Sequence, residues 1–171
     1  MRVNGPDSIR GVRVLFVLGL LMAVTSAAFA GGPCVGDAPE SVLDCLARAY
    51  EARDLAAIEA LYAPDFEFWF GTDASHTAWG REDEVKSAAN LLANEKVRGI
   101  RFEIVGVPES VPGIEPNTWI IRGVDSHLEI AADQSAEPYK VEGKDHEFLV
   151  RRLTEPTPHW QIYRWTDPNK Q

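Results

Sequence analysis

The order of apolar and polar positions divides the chain into an N-terminal apolar run, a helical stretch and a strand-rich remainder. Val14 to Val24, VLFVLGLLMAV, is an apolar run of eleven residues that follows Arg2, Arg10 and Arg13 and leads into the small residues Ala28 and Ala30. That is the pattern of a secretory signal peptide, with cleavage expected after Ala30. The run is shorter than the ~20 residues that span a bilayer, although an uncleaved anchor stays open as an alternative. A tail, 31–36, is expected to precede a single domain, 37–171. Asp37-Ala38-Pro39-Glu40 reads as a capping box, and Val42, Leu46, Ala49 and Tyr50 then recur at helical spacing to about Ala52. Asp54 is expected to cap a second helix, LAAIEALY, which stops before Pro64.

Asp65 to Phe70 alternates and predicts a strand with Phe66, Phe68 and Phe70 on one face. GTDASHTAWG reads as a loop. Gly80 then opens a third helix, Arg81 to Asn94, with Glu82, Asp83 and Glu84 at the positive end of its dipole and Val85, Ala89 and Leu92 as its inner stripe. From Val97 the period changes to two. Strands are expected over Val97–Val107, Asn117–Ala132, Tyr139–Leu153 and His159–Asp167, with PESVPGIEP as a loop. Short turns make these an antiparallel meander. The order predicts an α+β fold, helices on one side of a curved sheet, whose concave mouth is the usual place for a ligand.

Charge narrows the partners. Removing the signal leaves 14 Lys and Arg against 25 Asp and Glu, a formal charge of −11 over 141 residues. So acidic a chain is unsuited to nucleic acid or to stable insertion in an anionic membrane. Two cysteines, Cys34 and Cys45, favour a disulfide in an oxidising compartment, because the short segment between them can fold back along the first helix; two free thiols are the alternative. With so few soft ligands no metal is expected, and no sequence signal asks for a cofactor.

Two stretches, AYEARDLAAIEALYAPDFEF (Ala49–Phe68) and WGREDEVKSAANLL (Trp79–Leu92), resemble the nuclear-transport-factor-2-like (NTF2-like) superfamily. It includes polyketide cyclases, steroid Δ5-isomerases and scytalone dehydratase. The resemblance implies a cone-shaped, curved antiparallel sheet with three helices of the N-terminal half packed on its concave face. It also implies where steroid isomerase chemistry would sit. The general-base position falls on Phe70 and the oxyanion-donating tyrosine on Leu46, both apolar, so that proton transfer cannot run here with the same groups. Asp145, before His146, could match a second oxyanion donor.

Candidate chemistry follows from strand parity. Asp125, His127 and Glu129 point the same way and could hold a metal or transfer a proton. Val124, Leu128 and Ile130 occupy the other face, so the plainer reading is a wet strand surface. His146 shares parity with Phe148 and Val150 and is expected to point inward. It is the leading acid–base candidate, with Asp145 beside it; a hydrogen-bonded core histidine is the plain alternative. His76 lies in the loop ahead of Trp79, as a lid or a solvated residue, and His159 is expected to be exposed. Phe66, Phe68, Phe70, His76, Trp79, Tyr163 and Trp165 are the expected lining of an apolar pocket. Trp69 would lie on the outer sheet face, where a homodimer could form. The sequence therefore predicts an exported domain that binds a small apolar molecule. A dehydratase- or cyclase-type enzyme using His146 and Asp145, and a non-catalytic dimeric scaffold, are the alternatives.

Overall fold

The computed structural model describes residues 34–71, 77–131 and 137–168. Helix α1 (Ser41–Glu51) buries Val42, Leu43, Leu46, Ala49 and Tyr50, one stripe at i, i+1, i+4, i+7 and i+8. It starts one turn later than the Asp37 capping box predicts. Residues 37–40 form a separate turn, and Glu40, at the N-cap, makes no side-chain cap bond. The reason lies before the helix. Trp160 donates from its backbone N to the Cys34 carbonyl (3.1 Å) and from its indole Nε1 to the Gly36 carbonyl (2.8 Å), so the tail is tied across the sheet. Cys34 and Cys45 form a disulfide that joins this tail to α1.

At the end of α1, Arg53 takes a positive φ of 55°, and Asp54 caps α2 (Leu55–Leu61) by accepting from the Ala57 N–H at 2.9 Å. Strand β1 follows at once as Tyr62–Phe70, three residues earlier than Asp65. The next segment, expected as loop, contains a short strand β2 (Thr77–Gly80) paired antiparallel to β1, after which α3 (Arg81–Ala93) begins. The remaining strands are β3 (Gly99–Val105), β4 (Glu109–Pro112), β5 (Thr118–Ala131), β6 (Tyr139–Leu153) and β7 (His159–Asp167). β4 is the second correction: the PESVPGIEP segment pairs with β5 beyond the end of β3.

The sheet runs β2-β1-β7-β6-β5-β3, with β4 also on β5. The meander β5-β6-β7 is antiparallel, whereas β1 pairs with β7 in parallel, so the sheet is mixed. Register shifts interrupt the β1–β7, β5–β6 and β6–β7 ladders, and each extra residue bends its strand. The result is a curved, unclosed sheet with three helices, an NTF2-like α+β cone. Helix α1 packs on β3 and β7, α2 on β7 and α3, and α3 on β1. The enclosed core includes Trp160, Phe66, Phe148, Leu46, Ile58, Ile121 and Ile162.

Helix α3 packs Val85 and Leu92 of the expected stripe against the core, partly buried, and buries two further residues more deeply. Its buried residues are Glu84 and Ala88, so the inner face is centred one position before Val85 and Ala89 and includes a carboxyl.

The disulfide closes a loop with a sequence separation of 11, which by chain entropy stabilises the fold by about 3 kcal/mol. Replacing both cysteines by serine should lower the unfolding free energy measured in urea by that amount; an unchanged value would show that the disulfide contributes nothing.

Candidate functional site

His146 is set by a bulge. Val124 of β5 opposes His146 and Ser126 opposes Gly143, so Lys144 and Asp145 together face Asp125. Asp145 adopts a positive φ of 55°, a conformation aspartate tolerates better than most residues, and its N–H donates to the Asp125 carboxylate at 3.0 Å. The bulge turns Gly143 and His146 to the same, inner face although their sequence parity differs. Phe148 and Val150 lie on that face too. Asp145 itself is exposed and its backbone is held on the outer side, so it does not join His146 inside.

The imidazole is buried, with 4 % of its residue surface exposed. Its Nδ1 accepts from the Trp165 indole N–H at 2.7 Å. An N–H aimed at Nδ1 requires a lone pair there, so the neutral ring carries its proton on Nε2. That Nε2 is buried and has no hydrogen-bond partner among the described residues. It lies over Gly143, where an added Cβ would come within 1.8 Å of it. Burial lowers the His146 pKa from its ordinary 6.5, against the charges of Asp167, Asp125 and Asp145, of which Asp167 acts most strongly.

Aromatic rings surround this group. Trp165 packs against His146 (5.5 Å), Phe148 (4.8 Å) and Phe68 (5.0 Å). Phe68 in turn touches Phe70 (4.7 Å) and Trp79 (5.4 Å), and Phe70 meets Trp79 edge-on at 5.2 Å. Phe70 is 37 % exposed, at the solvent edge of this cluster, while Phe66 lies deeper against Tyr62 at 4.4 Å. Tyr163 does not belong to this basket. It lies under Arg151, 5.8 Å from the guanidinium, and Arg151 reaches over β7 to Asp65 on the outer face. His76 falls outside the described residues.

The Asp125-His127-Glu129 row is taken up by surface pairing. Glu129 binds Lys140 (2.9 Å), Asp125 accepts from Asp145, and His127 stands between Glu103 and Glu142 on neighbouring strands. Among the described residues no group of three His, Cys, Asp or Glu is placed to hold a metal. Trp69 is on the outer face, with the Arg164 guanidinium 3.7 Å from its ring.

One polar group was not anticipated. Glu84 points inward and is buried. The Tyr62 hydroxyl donates to its Oε1 at 3.3 Å, and Tyr50 and the Trp79 indole N–H are close enough to act on it. Burial pushes its pKa up, against the pull of Tyr62, Trp79 and Tyr50. Both tyrosines are themselves shifted far upward by burial and stay protonated. Glu84 reads in the sequence as one of three acids at a helix start. Its spacing of four from Ala88 is the pattern that places both on one helix face.

Comparison with known proteins agrees with this geometry. A family model described as the SnoaL-like domain matches residues 40–109. No curated protein sequence matches. Among solved structures, a conserved protein from Planctomyces limnophilus is similar with a TM-score of 0.58 and 16 % identity, over 74 % of this chain and 89 % of that one. An NTF2-like protein of unknown function in nutrient uptake from Rhodospirillum rubrum aligns at TM-score 0.55 and 14 % identity, over 76 % and 96 %. A protein provisionally named a scytalone dehydratase, from Novosphingobium aromaticivorans, aligns at 0.58 and 12 %, over 77 % and 86 %. At such identities the structures share the fold. With the element order and the bent mixed sheet, the chain has the NTF2-like fold, and its residues 40–109 match the SnoaL-like domain.

Proposed function

We propose that the chain binds a small, flat, apolar molecule carrying a hydrogen-bond acceptor, with its rings against Phe68, Phe70, Trp79 and Trp165 and its acceptor on His146. The observation that carries this reading is the orphaned Nε2–H of a buried, neutral imidazole within an aromatic enclosure. A buried donor left without a partner costs about 1–3 kcal/mol, which an acceptor on the ligand would recover. The aromatic walls supply apolar area and the single donor supplies orientation, the division of labour common in small-molecule sites. Proton transfer by His146 to or from the bound molecule is the catalytic form of the reading. It is favoured by Asp167, the carboxylate that most stabilises the imidazolium, in place of Asp145. The disulfide and the N-terminal apolar run support an exported location, and the outer face with Trp69 is the surface we assign to self-association.

Planar aromatic ketones such as 1-tetralone should raise the melting temperature and change the tryptophan fluorescence, because Trp79 and Trp165 line the site. His146→Phe keeps a ring but removes the donor. It should weaken ketone binding about tenfold to a hundredfold while leaving naphthalene unaffected, the equivalent of about 1–3 kcal/mol. Equal ketone affinity in the variant, or no binding of any ketone, would sink the proposal.

Gly143→Ala places a methyl where the His146 Nε2 now lies and forces the ring to move. Ketone affinity should fall as in His146→Phe, with β-sheet content retained by circular dichroism. Unchanged affinity would mean that the ring position is unimportant.

The pH dependence has a definite sign. The native His146 pKa lies below 6.5, so as pH falls the unfolded chain takes up the proton first. His146 therefore contributes its full stability above about 6.5, and loses it as pH falls from there through the depressed native value. Urea stability measured from about pH 8 to about pH 5 should decline more steeply in the wild type than in His146→Phe. Parallel curves would count against a depressed pKa.

A further inference from the structure

Among the described residues, Glu84 is a buried carboxyl without a cation. The groups acting on it are Tyr62, Trp79 and Tyr50, all neutral donors, and no positive side chain among the described residues contributes to its ionisation. Arg81, three residues before it, turns away to the Tyr62 and Glu59 carbonyls and the Glu59 carboxylate. An ionised carboxylate in an apolar interior is unfavourable unless it is paired as well as hydrogen-bonded. The Tyr62 bond is long at 3.3 Å, and the Trp79 indole N–H, near enough to lower the Glu84 pKa, is buried without a well-formed hydrogen bond. The carboxyl is thus solvated by neutral donors with slack geometry and surrounded by rings.

Those rings have their own preference. The π-faces of Tyr and Trp attract organic cations, most strongly where water is excluded. Tyr62 is backed by Phe66 at 4.4 Å and Tyr50 by Phe102 at 5.7 Å, so the wall is aromatic to a second layer. Trp79 connects this wall to the His146 basket, because its ring also packs on Phe68 and Phe70. The strongly acidic chain would raise the local concentration of a cation before it binds.

We propose that Glu84, with Tyr50, Tyr62 and Trp79, is the recognition site for a protonated amine, and that the molecule held in the basket is an arylalkyl ammonium compound. The inference rests on the basket reading for the seat of the aromatic ring, and it adds the charge of the ligand. Glu84 supplies the counter-charge, the rings supply cation–π contact, and the tyrosine hydroxyls keep the carboxylate oriented.

The test is calorimetric titration of the full chain with benzylammonium and with benzyl alcohol, which has the same skeleton and no charge. Benzylammonium should bind at least tenfold more tightly. Glu84→Gln should reduce benzylammonium affinity at least tenfold and leave benzyl alcohol unchanged, and Tyr62→Phe should give a smaller loss in the same direction. Equal affinity of the two probes for the wild type overturns the proposal, even if Glu84→Gln does not fold. Undiminished ammonium binding by a folded Glu84→Gln overturns it as well. If 1-tetralone binds through His146 while the ammonium shows no preference, this inference falls and the basket reading stands. If the ammonium depends on Glu84 while ketone binding ignores His146, the assignment of His146 falls alone.

Discussion

The parallel ladder between β1 and β7 is the contact on which the cone depends. β1 closes the first, helical part of the chain and β7 is the last strand of the domain, yet Phe68 lies opposite Trp165 and Phe70 opposite Asp167. Gly71 extends the contact by donating to the Asp167 carbonyl at 2.7 Å. Without this ladder the phenylalanine row and the tryptophan that fixes His146 would lie on separate pieces of chain. Helices α1 and α2 also rest on β7, so the strand is the common floor of both halves. A parallel pair needs a long crossover, and here the crossover is α3 and the whole meander.

Inside that frame the polar groups are few and unequal. His146 is neutral, half satisfied by Trp165, and keeps one donor lying over Gly143. Glu84 is held by neutral hydroxyls and an indole. Replacing either by an apolar residue of similar size would remove a desolvation penalty, so neither is what a sequence shaped for stability alone would place there. The outer face follows the opposite logic. Arg151 with Asp65, Arg122 with Glu147 and Lys140 with Glu129 are partly solvated pairs, each worth little for the fold and well suited to keeping the face soluble.

What could be read from the chain followed locality. Helix α2 was legible because its cap residue, Asp54, acts within three positions. The long strands were legible because Val124, Leu128 and Ile130 alternate with Asp125, His127 and Glu129 over many residues. β2 and β4 were not, since TAWG and ESVP are only four residues each and owe their conformation to β1 and β5. The site divides in the same way. The inward turn of His146 follows from its parity with Phe148, but the bulge that brings Gly143 under its ring involves pairing with β5 and leaves no local trace. Tyr163 and Trp165 share parity, so they were expected on one face. The register shift between Leu149 and Val150 breaks that rule by placing Tyr163 with Arg151 on the other. Glu84 was hidden by its neighbours Glu82 and Asp83, which do face solvent at the helix start.

The central place of β7 also bears on the order of events during synthesis. Strands β6 and β1 flank it, so a nascent chain that has produced everything through β6 still lacks the strand that joins its two halves. Up to that moment β1 can pair only with β2, and the row of phenylalanines has no tryptophan to close against. The dominant contacts are then far apart in sequence, which slows folding and leaves apolar surface uncovered in the meantime. A chain of this kind stays open, with its two halves unjoined, until its final strand emerges.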